Sequence, residues 1–188
     1  MALASTLVPL GTPAPDFTLS DVAGVSHASA NFTAPVLVVA FVCNHCPYVK
    51  HIELALGRFS PSDRLSLVAV CSNDETRYPE DAPAQLADQA VRAGWAFPYL
   101  VDADQSVAKA YGAVCTPDFF VYGPDRTLAY RGAFDSSTPG NDQPVTGAAL
   151  RDAIALVAAG QPVPEPHRPS LGCGIKWLPG NEPNGGRR

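Results

Sequence analysis

The chain of 188 residues is 46% hydrophobic, which fits one globular domain with a sizeable core, and its formal net charge is −5. Its 13 basic residues form no run, so the basic surface of a nucleic-acid-binding protein is excluded, and no stretch approaches the ~20 apolar residues of a membrane-spanning helix. We therefore expect a cytoplasmic protein with neither nucleic acid nor membrane as a partner.

The N-terminal third predicts a hairpin, a central strand and a helix. Residues 1–9 lack the basic segment and long apolar run of a secretory leader. A short strand and turn from residue 14 to 21 begin an N-terminal β-hairpin. The continuous β-branched run at 36–42 predicts a strand covered on both faces. A helix is expected from about 44 to 59, because Pro47 is tolerated in a first turn.

The remaining chain alternates strands and helices before it ends in an arm. The predicted elements are a buried strand at 65–71, helices at 83–93 and 104–111 separated by an extended segment at 97–101, a hairpin of strands at 119–122 and 127–131, and a helix at 145–159. This order predicts an α/β fold with a central mixed β-sheet flanked by helices. One domain, 1–188, is expected, with its core at about 14–160. The proline-rich segment 161–188 would form an extended arm with a frayed end at 184–188.

Cys43 and Cys46 carry the main functional signal. They are separated by two residues and stand where the predicted central strand enters a helix. A thiolate at a helix N-terminus is stabilised by unpaired backbone N–H groups and by the helix dipole, which lowers the pKa of the leading cysteine below ~8.5. Cys43 is therefore the predicted nucleophile. Cys46, about one helical turn further on, is the predicted resolving thiol that attacks a mixed disulfide on Cys43.

The other cysteines leave several alternatives open. Five cysteines are too few for a disulfide scaffold, and an odd number cannot pair completely within the chain. Cys71 ends a predicted strand and is expected to be buried. Cys115 and Cys173 are candidates for additional redox thiols, but Cys115 could equally be a small buried hydrophobic residue. Cys173 could pair with Cys71, Cys115 or Cys43, or remain an unpaired structural cysteine.

A second motif, Thr116–Pro117, precedes the aromatic pair Phe119 and Phe120. Proline cannot donate a hydrogen bond to a sheet, so its position directly before a strand makes Thr116–Pro117 a candidate for a cis peptide bond. A strand leading into Cys-x-x-Cys, followed some seventy residues later by Thr-Pro and a β-hairpin, is the arrangement of the thioredoxin fold.

These motifs resemble the peroxiredoxin-like branch of the thioredoxin superfamily, redoxins and thiol-disulfide oxidoreductases related to the alkyl hydroperoxide reductase and thiol-specific antioxidant group. The matching stretches are residues 41–50, 72–74, 108–120, 130–132 and 172–183. The resemblance implies a thioredoxin-like fold with a redox-active dithiol. It also implies that Thr116 and Pro117 contact the substrate and that Cys115 lies beside the cysteine pair.

Asn44 and His45, which lie between the two cysteines, are expected to modulate the dithiol. His45 directly precedes Cys46, as in relatives that donate or isomerise disulfides. A partly positive imidazole there would favour the Cys43 thiolate and make the protein more oxidising than thioredoxin. The alternative is a solvated histidine that has no influence on the thiols.

Four functions are compatible with these residues. The first is a thiol-disulfide oxidoreductase that uses Cys43 and Cys46 on protein or small-molecule disulfides, with a thiol electron donor. The second is a thiol peroxidase, although Val36 and Ala40 replace the proline and threonine of the peroxiredoxin pattern Pro-x-x-x-Thr-x-x-Cys, and Arg131 would have to supply the positive charge.

The third function is metal binding by Cys43 and Cys46 with His45 or Cys115, although a convincing fourth ligand for structural zinc is missing. The fourth is a redox-inactive binding module. The sequence predicts neither a cofactor nor a resident metal, and it does not specify the oligomeric state.

Overall fold

The computed structural model describes residues 2–183, so the frayed end expected at 184–188 lies outside the described residues. The strands are β1 (Leu3–Ala4), β2 (Thr18–Asp21), β3 (Ser26–Ala28), β4 (Val36–Phe41), β5 (Leu65–Cys71), β6 (Tyr99–Val101), β7 (Cys115–Thr116), β8 (Asp118–Tyr122), β9 (Leu128–Gly132) and β10 (Leu171–Gly174). The α-helices are α1 (Pro47–Leu56), α2 (Pro83–Ala93), α3 (Ser106–Tyr111) and α4 (Ala148–Ala158), and short 3-10 helices lie at Ser29–Asn31 and Pro79–Asp81. None of these helices is long and apolar enough to cross a membrane.

The main sheet is mixed, as the order of elements predicts. Its strands lie in the order β3-β2-β6-β5-β4-β8-β9. The neighbours β4, β5 and β6 are parallel, while β8 runs antiparallel to β4. Because β4 is central and ends at Phe41, the residues that follow it emerge at the carboxyl end of the parallel strands, where α/β sheets commonly bind ligands.

Alternate side chains of β4 enter two separate cores, one on each face of the sheet. Val38 packs in a cluster that includes Leu56 of α1. Phe41 packs on the opposite face against Tyr111 of α3, with ring centroids 5.5 Å apart. Burial of each such side chain contributes roughly 1.5–3 kcal/mol. The two-sided burial explains why this strand reads as a continuous apolar run, and it fixes the strand end that carries the dithiol.

Helix α1 begins at Pro47, three residues later than the sequence predicts. The backbone N–H groups of Asn44 and His45 donate to a carboxylate oxygen of Asp81, at 2.8 and 3.1 Å. These two residues therefore form a loop that is anchored to another element and not the first turn of the helix. Cys46 becomes the residue that caps the helix.

The C-terminal arm forms a strand in a second sheet, which the sequence does not predict. This small sheet has the order β1-β10-β7, and it pairs Cys173 with Thr116 and Gly174 with Cys115. Strands of two to four residues show too little alternation to be recognised from a pattern. The arm consequently lies directly on the segment that precedes Pro117.

Candidate active site

Both cysteines of the Cys-x-x-Cys motif lie at the carboxyl end of β4 and are fully buried. Cys43 follows the strand, and its carbonyl oxygen accepts a hydrogen bond from the Gln89 side chain at 3.3 Å. Gln89 is itself buried and accepts a hydrogen bond from the Tyr99 hydroxyl. The backbone at Cys43 is therefore held from the helix α2 side, while Cys46 is held at the start of α1.

Thr116 contacts both cysteines. Its hydroxyl oxygen lies 3.3 Å from the Cys43 sulfur, and its carbonyl oxygen accepts a hydrogen bond from the Cys46 thiol at 3.2 Å. The Thr116–Pro117 peptide bond is cis, and Pro117 lines a pocket beside the dithiol helix with Tyr48. The residues expected to contact substrate are thus brought against the cysteine pair, although the Thr116 backbone is already paired with β10.

A buried carboxylate, Asp81, organises the loop between the two cysteines. One of its oxygens lies 2.6 Å from Nδ1 of His45 and accepts a hydrogen bond from the Asn73 side chain at 2.7 Å. Burial opposes ionisation of Asp81, but the hydrogen bonds from His45 and Asn73 outweigh it and lower the pKa of this carboxyl below its ordinary value. Asp81 therefore places a negative charge close to the thiols.

His45 bonds to Asp81 and not primarily to the cysteine. Because an ionised carboxylate only accepts hydrogen bonds, the Nδ1–H group of His45 is the donor in its hydrogen bond to Asp81. The same nitrogen is 3.8 Å from the Cys43 sulfur, and the ring stacks on Tyr78 with centroids 5.0 Å apart. The histidine is thus packed and bonded, which corrects the alternative of a solvated side chain.

The pKa directions of the two thiols differ from the sequence-based expectation. Burial raises the pKa of Cys43 well above its ordinary value, and the charge of Asp81 adds to this effect. A hydrogen bond from Cys43 lowers the pKa of Cys46 to about 5. The expected lowering at Cys43 is wrong for this state, because α1 begins at Pro47 and leaves Cys43 outside its first turn. The two thiols interact and therefore titrate together, with Cys46 as the more acidic of the pair.

All five cysteines are free thiols, and the three outside the Cys-x-x-Cys motif fall into two groups. Cys71 and Cys115 are buried, and burial raises the pKa of each thiol well above its ordinary value. Cys173 is partly exposed and pairs in the sheet with Thr116, whose carbonyl oxygen accepts the hydrogen bond from the Cys46 thiol. The proximity of Cys173 lowers the pKa of Cys46. The structure therefore places Cys173 against Cys46, a partner absent from the sequence-based alternatives.

The sequence analysis misses Asp81 and the residues that connect it to the arm. Asn73, which bonds to Asp81, accepts a hydrogen bond from the backbone N–H of Lys176 at 2.8 Å. A signal for Asn73 was present, because polar residues directly after a parallel strand often line a site. Asp81 gives no such signal, since it lies in a 3-10 turn that is far from both motifs along the sequence. Asn44 accepts a hydrogen bond from Arg92 at 2.6 Å, which fixes its side chain.

Two further sequence-based roles can be compared with the geometry. Cys43, His45 and Asp81 offer ligand atoms within 4.8 Å of one another. A metal bound here would therefore have Asp81 as a ligand, where the sequence suggests Cys46 or Cys115. Arg131, the residue that would supply the positive charge for a peroxidase, hydrogen-bonds to His167 at 3.0 Å and to Glu165 in the arm. Arg131 is thus engaged away from the cysteines.

Comparison with known proteins identifies the class to which this geometry belongs. The AhpC/TSA family matches residues 10–131 of the chain. A hypothetical protein from Sinorhizobium meliloti 1021 is 46% identical, with a TM-score of 0.91 and coverage of 94% of this chain and 99% of that one. An uncharacterised conserved protein from Geobacillus kaustophilus is 43% identical, with a TM-score of 0.91 and coverage of 95% and 97%.

A secreted disulfide oxidoreductase of Mycobacterium tuberculosis has a TM-score of 0.58 at 16% identity, over 74% of this chain and 94% of that one. This likeness concerns the fold alone, and it confirms the thioredoxin-like α/β fold that the sequence predicts. No significant match was found among curated proteins.

Proposed function

We propose that this chain, which belongs to the AhpC/TSA family, is a thiol-disulfide oxidoreductase whose redox centre is the Cys43–Cys46 dithiol. One observation carries the proposal most strongly. Both sulfur atoms contact Thr116, the residue before a cis proline, at 3.3 and 3.2 Å. This arrangement supplies a nucleophile, a resolving thiol and a fixed polar contact for each.

The reaction proceeds by two exchanges. The Cys43 sulfur attacks a substrate disulfide, a protein–substrate S–S bond forms, and the departing substrate sulfur takes the Cys43 proton. The Cys46 thiolate then attacks the Cys43 sulfur, which forms the Cys43–Cys46 disulfide and releases the second substrate thiolate. An external thiol donor returns the protein to the dithiol state.

The surrounding residues position these groups. The Thr116 hydroxyl stabilises charge on Cys43 as it attacks, and the Asp81–His45 pair holds the loop between the cysteines. Stabilisation of the Cys46 thiolate disfavours the disulfide, which supports a protein more oxidising than thioredoxin. The proposed partners are protein or small-molecule disulfides and a thiol donor, in a cytoplasm where the free thiols remain reduced.

The proposal predicts that the protein reduces insulin disulfides in the presence of dithiothreitol. Cys43→Ser and Cys46→Ser should each lower the rate of turbidity increase by about 100-fold or more, because each removes a sulfur that forms a covalent intermediate. Cys71→Ala is the matched control, since Cys71 is a buried cysteine outside the Cys-x-x-Cys motif. Full activity in either serine variant would contradict the proposal.

Thiol peroxidase activity is a second candidate, and one contact favours it. Thr116 places a hydroxyl at 3.3 Å from the Cys43 sulfur, although Ala40 occupies the usual threonine position in the sequence. We rank this function second because Arg131 is bound to the arm. Hydrogen peroxide consumption that is lost in Cys43→Ser, together with inactivity toward insulin, would reverse the ranking.

A further inference from the structure

We propose that Cys173 is a third redox-active thiol, which forms a disulfide with Cys46 by internal exchange. This inference rests on the proposed chemistry of Cys43 and Cys46. It assigns a role to the C-terminal arm, because the arm would then take part in the redox cycle and not only cover the site.

The sheet register brings Cys173 to the dithiol. Strand β10 is antiparallel to β7, and Cys173 is the partner of Thr116. The carbonyl oxygen of Thr116 also accepts the hydrogen bond from the Cys46 thiol. Cys173 thus occupies the backbone position at which, by the family resemblance, a substrate strand would pair with Thr116.

Cys46 has two thiol neighbours. Cys43 and Cys46 both contact Thr116, Cys173 is the strand partner of Thr116, and the three cysteines pack in one cluster. The proximity of Cys43 and of Cys173 lowers the pKa of Cys46. Thiol-disulfide exchange requires an attacking sulfur that can reach one sulfur of a disulfide. A disulfide between Cys43 and Cys46 therefore has its second possible partner already in place.

Contacts on both sides of Cys173 hold it in this position. Before it, the backbone N–H of Ser5 donates to the Ser170 carbonyl at 2.9 Å, and the Ser170 N–H donates to the Ser5 hydroxyl at 3.0 Å. After it, the N–H groups of Ile175 and Lys176 donate to Val114 and Asn73 at 2.9 and 2.8 Å. The thiol is therefore presented by an ordered strand.

Cys173 differs from the other four cysteines in its partial exposure. A thiol donor from solution meets its sulfur more readily than the buried sulfurs of Cys43 and Cys46. A Cys46–Cys173 disulfide would therefore connect the buried dithiol with the donor. This connection also returns Cys43 to the free thiol, and reduction of the Cys46–Cys173 disulfide by the donor then restores Cys46 as the resolving thiol.

The step balances without any added oxidant. The Cys173 thiol loses its proton and attacks Cys46 in the Cys43–Cys46 disulfide. The Cys46–Cys173 bond forms, the Cys43–Cys46 bond breaks, and the Cys43 sulfur takes up a proton. The number of disulfides stays the same, so the exchange moves the oxidised pair to the more exposed side of the site.

The test uses Cys43→Ser, which leaves four of the five cysteines. After treatment with oxidised glutathione, we expect the free-thiol count of the folded variant to fall by two, with a Cys46–Cys173 link in a non-reducing peptide map. Cys115, which lies in the neighbouring strand, should remain a thiol and serves as the internal control. Separate glutathione adducts on Cys46 and Cys173, unreacted thiols, or a link to another cysteine would overturn the proposal.

Two measurements keep the outcomes distinct. Mapping of the wild type after partial oxidation should show both disulfides of Cys46, and Cys173→Ser should lose one of them, which covers the case of an unstable Cys43 variant. If the wild type reduces insulin but no Cys46–Cys173 link forms, only the role of Cys173 fails. If the link forms but insulin reduction does not depend on Cys43, the proposed function fails instead.

Discussion

Replacement of Gly172 by alanine is expected to detach the arm from the active site and expose the dithiol. A Cβ at this position would lie 1.9 Å from the Thr116 carbonyl oxygen and 2.6 Å from its carbonyl carbon. Both are backbone atoms, so no flexible side chain can move to relieve the clash. Overpacking of this kind costs about 1–3 kcal/mol, and each 1.4 kcal/mol lost from the closed arm makes its opening about tenfold more frequent.

The measurement is the rate at which iodoacetamide alkylates Cys46, followed by mass spectrometry. We expect about tenfold faster alkylation in Gly172→Ala than in the wild type. Gly174→Ala is the matched control in the same strand, because its Cβ would meet only ordinary contacts, 3.7 Å from Leu3 and 3.9 Å from Val114. Equal protection of Cys46 in all three proteins would show that β10 does not limit access to the dithiol.

Replacement of Asp118 by asparagine is expected to stabilise the protein increasingly as the pH rises. Asp118 is fully buried on β8, and one of its carboxylate oxygens has no hydrogen-bond partner among the described residues. Burial raises the pKa of this carboxyl to about 8. In the unfolded chain an aspartate ionises near pH 4, so between about pH 4 and 8 unfolding releases a proton.

Over that window the free energy of unfolding of the wild type falls with rising pH by about 1.4 kcal/mol per unit from this group alone. Asparagine has no proton to release, so the advantage of Asp118→Asn should grow by about that amount per pH unit. Urea unfolding of both proteins at pH 5, 6 and 7 measures it. A difference that does not depend on pH would mean that Asp118 is ionised in the folded state.

Asp135→Asn supplies a control of opposite sign. Burial opposes ionisation of Asp135, but hydrogen bonds from Ser137 and from the backbone of Thr146 and Gly147 outweigh it and lower its pKa. The stability contributed by Asp135 is therefore present above its unfolded pKa and is lost as the pH falls. Its replacement should destabilise the protein by a constant amount between pH 5 and 7 and by less below about pH 4.

The local sequence pattern predicts the fold where burial dictates residue type along a single element. Strand β5 and helix α2 have the bounds that the sequence predicts, Leu65–Cys71 and Pro83–Ala93. Both combine a clear apolar pattern with a terminating polar or glycine residue. The Thr-Pro and Cys-x-x-Cys motifs likewise identify the two segments that meet at the candidate site. Each motif can be recognised locally, because each imposes its own requirement on the backbone.

The sequence does not predict features that depend on contacts between distant segments. The start of α1 shifts because Asp81 takes the N–H groups of Asn44 and His45. Burial of Cys43, to which the charge of the same carboxylate adds, reverses the expected pKa direction at this thiol. The pairing of Cys173 with Cys46 depends on the register between β10 and β7, which lie more than fifty residues apart. Local propensity contains no information about such a register.

The most direct test of the proposed chemistry is covalent capture of a substrate by Cys46→Ser. Without the resolving thiol, a peptide disulfide labelled with a chromophore should remain attached to Cys43, and peptide mapping should locate the adduct there. The parallel Cys43→Ser protein should capture far less of the same peptide. A stable adduct on Cys43 would establish it as the nucleophile, although Cys46 has the lower pKa of the two thiols before substrate binds. The absence of an adduct on Cys43, with efficient capture by Cys46 in Cys43→Ser, would contradict the proposed order of attack.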